Sequence, residues 1–127
     1  LPGHGVDLYQ PEVITASMGS FFNLPAIRMA DNDTVFDWIA RQRDLHPGFQ
    51  VIGTTAHKQL NITQVDFRLP TLLMIGNETD GLCRAFKEGC DLLATIPMAD
   101  TSSASSFNVA CAATVMMYEV CRQRAQE

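Results

Sequence analysis

The sequence predicts an α/β domain with a mainly parallel sheet, and three observations carry that expectation. Short apolar runs suited to buried strands alternate with helical patterns along the chain. One run, Leu72-Leu73-Met74-Ile75, breaks at Gly76-Asn77-Glu78 and passes through Asp80-Gly81 into a helical pattern of Leu82, Ala85 and Phe86. Strand, tight polar loop and helix in that order present backbone N–H groups at the carboxyl edge of a parallel sheet, where open α/β folds bind ligands. A second apolar run ends at Ile96-Pro97-Met98, where Pro97 cannot donate to a ladder and turns the chain.

Each element has its own justification. Residues 1–9 are rich in Gly and Pro and read as loop, and residues 12–20 hold Val13 and Ile14 in a short helix ending at Gly19. Residues 23–30, with Leu24, Ala26, Ile27 and Met29, are expected to form the first strand. Asn32 and Asp33 are candidate caps for a helix with an apolar face of Val35, Phe36, Trp38 and Ile39, which stops near His46-Pro47-Gly48. Residues 49–55 are the second strand, and the polar residues 57–66 read as loop. The strand at 72–75 is followed by a helix over 81–88, then a strand at 92–96 and a last helix over 106–124. No repeat or linker interrupts the 127 residues, which read as one domain.

The bulk numbers exclude several classes. Hydrophobic content of 46% and charged content of 18% suit a globular protein, and no apolar run approaches the roughly 20 residues of a membrane span. A net charge of −5, with the basic residues scattered, argues against gripping nucleic acid by charge alone. The four cysteines (Cys83, Cys90, Cys111, Cys121) form no C-x-x-C pair and have no zinc-finger spacing to histidine. Cys111 and Cys121 read as small buried residues of a reduced, cytoplasmic protein. No metal site is expected.

The loop after Ile75 lacks a Gly-Lys-Ser/Thr ending, and Glu78 would repel a phosphate. It suits a phosphate-free cofactor or a substrate hydroxyl that needs an acceptor. Residues 99–106, ADTSSASS, form a small-residue loop before Ser106-Phe107-Asn108-Val109 opens the last helix. Plain structural readings stand beside the functional ones. Glu78 also reads as a solvated loop acid, Asn77 as a turn residue, and Ser106 and Asn108 as helix caps.

The order L-x-I-G-N-E-x-x-G-L, then C-D, then I-P-M, then S-F-N-V with a downstream Y-E resembles the SpoU (TrmH-type) RNA 2′-O-ribose methyltransferases of the SPOUT superfamily. The earlier segment PEVITASMGSFFNLP, residues 11–25, is similar to that family as well. The resemblance implies an α/β knot, with a deep C-terminal trefoil knot, although threaded connections are otherwise rare. It implies an S-adenosylmethionine pocket built by Gly76, Ile96, Met98 and Phe107, with Thr54 or Thr55 touching the cofactor. It also implies Asn77, Glu78, Ser106 and Asn108 as catalytic positions that place the ribose and the active-site groups. The partners it implies are tRNA or rRNA and a second copy of the chain, with the final helix (Val109, Ala112, Ala113, Val115, Met116, Tyr118, Val120) at the dimer interface; ordinary core packing explains those residues equally well.

The family's first motif, an Asn-x-Gly segment with a downstream Arg, is expected upstream of Leu1 and has no counterpart in this sequence. Phe107 stands where the family usually has Leu, and Ala110 replaces a common Ser. Two functions are therefore carried forward. One is an S-adenosylmethionine-dependent ribose 2′-O-methyltransferase. The other is a non-catalytic knotted module for dimerisation or RNA binding. A generic NAD or ATP domain is disfavoured by the lack of a G-x-G-x-x-G or Walker sequence.

Overall fold

The computed structural model describes residues 10–12, 23–55, 60–76, 82–97 and 109–126. The chain divides into two compact units, Leu1–Gln42 and Arg43–Glu127. The helix α1 (Asn32–Leu45) begins in the first and ends in the second, and its part in the first buries Val35 and Ile39, spaced one turn apart. Its start is capped by Asp31, one residue before the expected Asn32-Asp33. The Asp31 carboxylate accepts from the N–H and hydroxyl of Thr34, each at 2.8 Å, and these bonds hold it below the usual carboxylate range. At the other end the chain turns at Gly48, whose φ of +82° favours glycine.

Residues 23–30 do not form the expected strand. They run exposed, with only an isolated bridge at Met29. Leu24 is 75% and Ile27 67% accessible, so the segment lacks the buried face that makes an apolar alternation into a strand.

The second unit holds a four-stranded, all-parallel sheet of β1 (Gln50–Thr54), β2 (Leu60–Asn61), β3 (Thr71–Met74) and β4 (Leu92–Thr95), in the order β2-β4-β1-β3. β2 lies inside the expected 57–66 loop. Leu60, Ile62 and Val65 supply the apolar anchors hidden in that polar stretch, and all three join the core. A single 3-10 turn follows over Ile62–Gln64, closed by a reciprocal capping box between Asn61 and Gln64.

β4 enters between β1 and β2, although residues 55–59 alone connect those two. Parallel neighbours normally need a crossover of a dozen or more residues. Here Leu60 pairs with Ala94, the residue that Thr54 of β1 also pairs with, so β2 begins level with the end of β1. The expected knot depends on the path of residues 98–108, which lie outside the described residues.

The side-chain period of two sorts the sheet into two faces. On one, Ile52, Leu73, Ala94 and Ile96 pack with Ile62, Val65 and Phe67 against Val115, Met116 and Val120 of the last helix, α3 (Val109–Arg124). Phe67, Ile52 and Met116 are fully buried, each contributing about 1.5–3 kcal/mol of transfer free energy. On the other face, Gly53, Met74 and Leu93 meet Leu82 and Cys90, which flank the short α2 (Arg84–Gly89). α2 starts three residues later than expected.

α3 corrects two further expectations. Cys111 and Cys121 are exposed rather than buried, because the core-facing stripe runs through Val115, Met116, Glu119 and Val120. Tyr118, which the family resemblance puts at a dimer interface and plain packing puts in the core, is 68% accessible, so the core reading fails for it. The last turns dock on the segment that leads into β3. Gln123 donates to the Val65 carbonyl (2.9 Å) and accepts from the Phe67 N–H (2.8 Å). Arg124 donates to the carbonyls of Phe67 and Leu69 at 2.9 and 3.1 Å. Glu119 is 6% accessible and is held by a forked pair from Arg122 (2.8 and 2.7 Å) and by Gln123 (3.0 Å). These bonds, led by Arg122, pull its carboxyl down to about 2.

Candidate active site

Three strands deliver backbone to one carboxyl edge. Gly53 of β1 pairs with Met74 of β3 in the last rung of that ladder, and Thr55 and Gly76 each follow two residues beyond it at the strand ends. On the other side of β1, Thr54 pairs with Ala94, which places Ile96 just past the same edge. Two hydrogen bonds extend the β1–β4 union beyond the ladder. The Thr55 N–H donates to the Ala94 carbonyl (3.0 Å), and the Thr95 hydroxyl donates to the Thr55 carbonyl (3.1 Å). Thr54, Thr55, Gly76 and Ile96 are all half-buried, open enough to touch a ligand yet anchored by the sheet.

Four of the ten residues singled out from the sequence therefore converge on one edge. Asn77, Glu78, Met98, Ser106, Phe107 and Asn108 lie outside the described residues. Gly76 and Leu82 bound one of these undescribed stretches, and Pro97 and Val109 bound another. Gly76 and Pro97, which follow β3 and β4, border the edge already occupied by Thr55 and Ile96.

The anchoring of the Gly76–Leu82 loop depends on residues that sequence reasoning passed over. A Cβ on Gly53 would lie 2.6 Å from Cys90 Sγ and 2.9 Å from both Leu82 Cδ1 and Leu93 Cδ2. Gly53 thus leaves the space into which Leu82, the residue that ends the loop, is pressed onto the sheet. A glycine inside an apolar strand is itself a sign of such a close approach, and it was the available signal. Cys90 donates to the Phe86 carbonyl (3.1 Å), and burial, then the neighbouring Asp91 charge, pushes its thiol up to about 11. It is a packing group, unsuited to nucleophilic work at neutral pH.

This parallel edge, with a Gly-Asn-Glu loop after one strand and Ile-Pro-Met after another, defines a class of ligand-binding α/β domain. The particular family follows from comparison with known proteins. The SpoU rRNA Methylase family matches residues 1–118, and the chain belongs to that family. It is 44% identical over 122 residues to a 23S rRNA (uridine(2479)-2′-O)-methyltransferase of Streptomyces viridochromogenes, covering 96% of this chain and 42% of that protein. A 23S rRNA (guanosine-2′-O-)-methyltransferase of Coxiella burnetii is 32% identical over 114 residues, covering 90% of this chain and 43% of the relative.

Among solved structures, the SpoU methyltransferase AviRb of Streptomyces viridochromogenes in complex with AdoMet superposes with a TM-score of 0.92 at 42% identity. It covers 100% of this chain and 49% of that one. An AdoMet-bound rRNA methyltransferase of Sinorhizobium meliloti gives 0.82 at 31% identity, over 95% and 44% of the two chains. The chain spans less than half the length of these relatives.

Proposed function

We propose that the chain serves S-adenosylmethionine-dependent methylation of a ribose 2′-hydroxyl in rRNA or tRNA. The observation that carries this reading is the convergence of Thr54, Thr55, Gly76 and Ile96 on one carboxyl edge, in a chain of the SpoU family. The residues present fit the cofactor. Gly76 and Thr55 are half-buried at the strand ends, no basic residue stands among the described residues of the edge to select a phosphate, and Ile96 offers apolar contact. Met98 and Phe107 complete the apolar side, by position in the family's motifs.

When bound, S-adenosylmethionine supplies a sulfonium methyl group activated toward an oxygen nucleophile. The protein's task is then mainly positioning. Asn77, Glu78, Ser106 and Asn108 orient the ribose, with Glu78 the acceptor that holds its hydroxyl or an active-site donor. The 2′-hydroxyl proton has to leave, which requires a base, and Glu78 is the carboxylate among these four.

The partner is a second copy of the chain. Ala110, Cys111, Thr114, Met117, Tyr118 and Cys121 form a continuous exposed stripe on α3 at spacings of three and four, with Met117 54% and Tyr118 68% accessible. Sedimentation of the wild type as a dimer, and of Tyr118→Lys as a folded monomer, is the expected result; a wild-type monomer removes this part of the reading.

The test of the function is calorimetric titration with S-adenosylhomocysteine beside Gly76→Val, followed by transfer of labelled methyl groups to rRNA by wild type and Asn108→Ala. Saturable binding that Gly76→Val abolishes, with ribose 2′-O-methylation that Asn108→Ala loses, is expected. A folded chain that binds no S-adenosylhomocysteine overturns the cofactor assignment and leaves the non-catalytic dimerisation module, which the net charge of −5 favours.

A further inference from the structure

The geometry points to Asp91 as the positioning residue that sets the register of the cofactor edge, an inference that rests on the function proposed above. β4 pairs with β1 from Ile52–Leu92 onward, so Asp91 stands one residue before the ladder, opposite Val51. Val51 is fully buried and turns its backbone polar groups toward β4. Its carbonyl accepts from the Asp91 N–H at 2.8 Å.

Its own N–H would need a carbonyl further up the β4 strand. In a regular ladder that carbonyl would be Cys90's; Cys90 is the C-cap of α2, its N–H donating to the Lys87 carbonyl, and the chain there is turning out of the helix. The Asp91 carboxylate takes the missing place: Oδ2 accepts the Val51 N–H at 2.8 Å. The other oxygen, Oδ1, accepts from Arg43 at 3.1 Å. One residue thus supplies a false rung below the true ladder and satisfies a buried N–H that would otherwise be orphaned.

The consequence lies at the opposite end of the strands. A slip of one residue between β1 and β4 moves Thr54 and Thr55 by about 3.3 Å relative to Ile96 and turns every side chain to the other face. Because β4 has only four residues, few rungs resist such a slip, and the Asp91–Val51 pair is the one that closes the amino end. Asp91 touches neither ribose nor cofactor; it acts through the strands that carry them. The Arg43 pair is a secondary feature, with both side chains about two-fifths accessible, and such pairs contribute little.

The experiment compares S-adenosylhomocysteine affinity, melting temperature and exchange protection of the Val51 amide in wild type, Asp91→Ala, Asp91→Asn and Arg43→Met. Asp91→Asn keeps an oxygen acceptor for Val51 and loses the charge. Expected are at least tenfold weaker binding and a deprotected Val51 amide in Asp91→Ala, with Asp91→Asn and Arg43→Met within threefold of wild type. Affinity of a folded Asp91→Ala within threefold of wild type overturns the inference, as does an Asn variant as weak as the Ala variant. Should Asp91→Ala not fold, Asp91→Glu decides, since it keeps the charge and displaces the carboxylate: unchanged affinity overturns the inference, weakened affinity supports it. A wild type that binds no S-adenosylhomocysteine refutes the proposed function instead, and Val51 protection then tests the register role by itself.

Discussion

Replacing Gln123 tests whether the end of α3 is held by its polar clamp or only by the apolar contacts above it. The amide makes three hydrogen bonds: to the Val65 carbonyl, from the Phe67 N–H, and to Glu119 Oε1. Gln123→Ala removes all three, and each is worth about 0.5–1.5 kcal/mol net. Val65 and Gln123 border an open polar groove of about 390 Å³ lined also by Gln64, Arg68 and Arg122, so water replaces part of the loss. Alanine's better helix propensity returns a few tenths of a kcal/mol. The balance is a destabilisation of about 2–3 kcal/mol. With an unfolding entropy of about 2.1 cal/mol/K per residue over the 127 residues, that lowers Tm by about 7–11 °C. Gln123→Glu should cost more at pH 7, because a carboxylate cannot donate to the Val65 carbonyl and faces the buried Glu119. Calorimetric melting reads both, and a fall of under about 3 °C for Gln123→Ala, or a Glu variant as stable as wild type, refutes the reasoning.

Three further predictions concern groups whose environment the fold decides. The Glu119 carboxyl is held at about 2 in the folded chain against an ordinary 4.5, so its stabilising effect is full above pH 4.5 and fades as pH falls toward 2. Glu119→Gln should therefore be less stable than wild type at pH 7, with the gap narrowing through that window in urea titrations; a constant gap contradicts the assignment. Gly53→Ala should lose about 1–3 kcal/mol from overpacking against Cys90, Leu82 and Leu93, and Gly53→Ala/Cys90→Ala should recover part of it. Additive effects of the two substitutions in denaturant melts would show that the sulfur is not the obstacle. Finally, iodoacetamide at pH 8 should modify the exposed Cys83, which lies outside the α3 stripe, well before Cys90, whose thiol burial holds up to about 11. Peptide mass mapping checks the order, and early labelling of Cys90 would show that it is not buried.

Much of the sheet was legible because parallel strands buried on both faces leave continuous apolar runs. Residues 50–54, 71–74 and 92–95 were all placed to within two residues. β2 was missed because two residues in a polar stretch give no periodicity. They are a strand only because the end of β4 arrives beside them. The converse error fell on residues 23–30, where apolar residues alternate but remain exposed. The cysteines of α3 misled for a related reason. An apolar helix with residues of similar polarity on every side does not declare which stripe is buried, and Glu119, a charged residue, was the one that turned inward. Within the candidate site, motif order singled out Gly76 and Ile96, while the contacts of Gly53 and Asp91 follow only from what stands opposite them.

Local chemistry, written in the sequence by itself, determined the three longer strands, the helices and the family, since strand burial, loop breakers and ordered motifs depend on neighbours a few residues away. The order β2-β4-β1-β3, the carboxylate of Asp91 standing in for a ladder carbonyl, and the clamp of Glu119, Arg122, Gln123 and Arg124 were decided only by tertiary structure. Each joins residues some forty to sixty positions apart, or neutralises a charge inside the fold. A backbone N–H or a buried carboxylate carries no mark in the sequence of the distant group that will satisfy it.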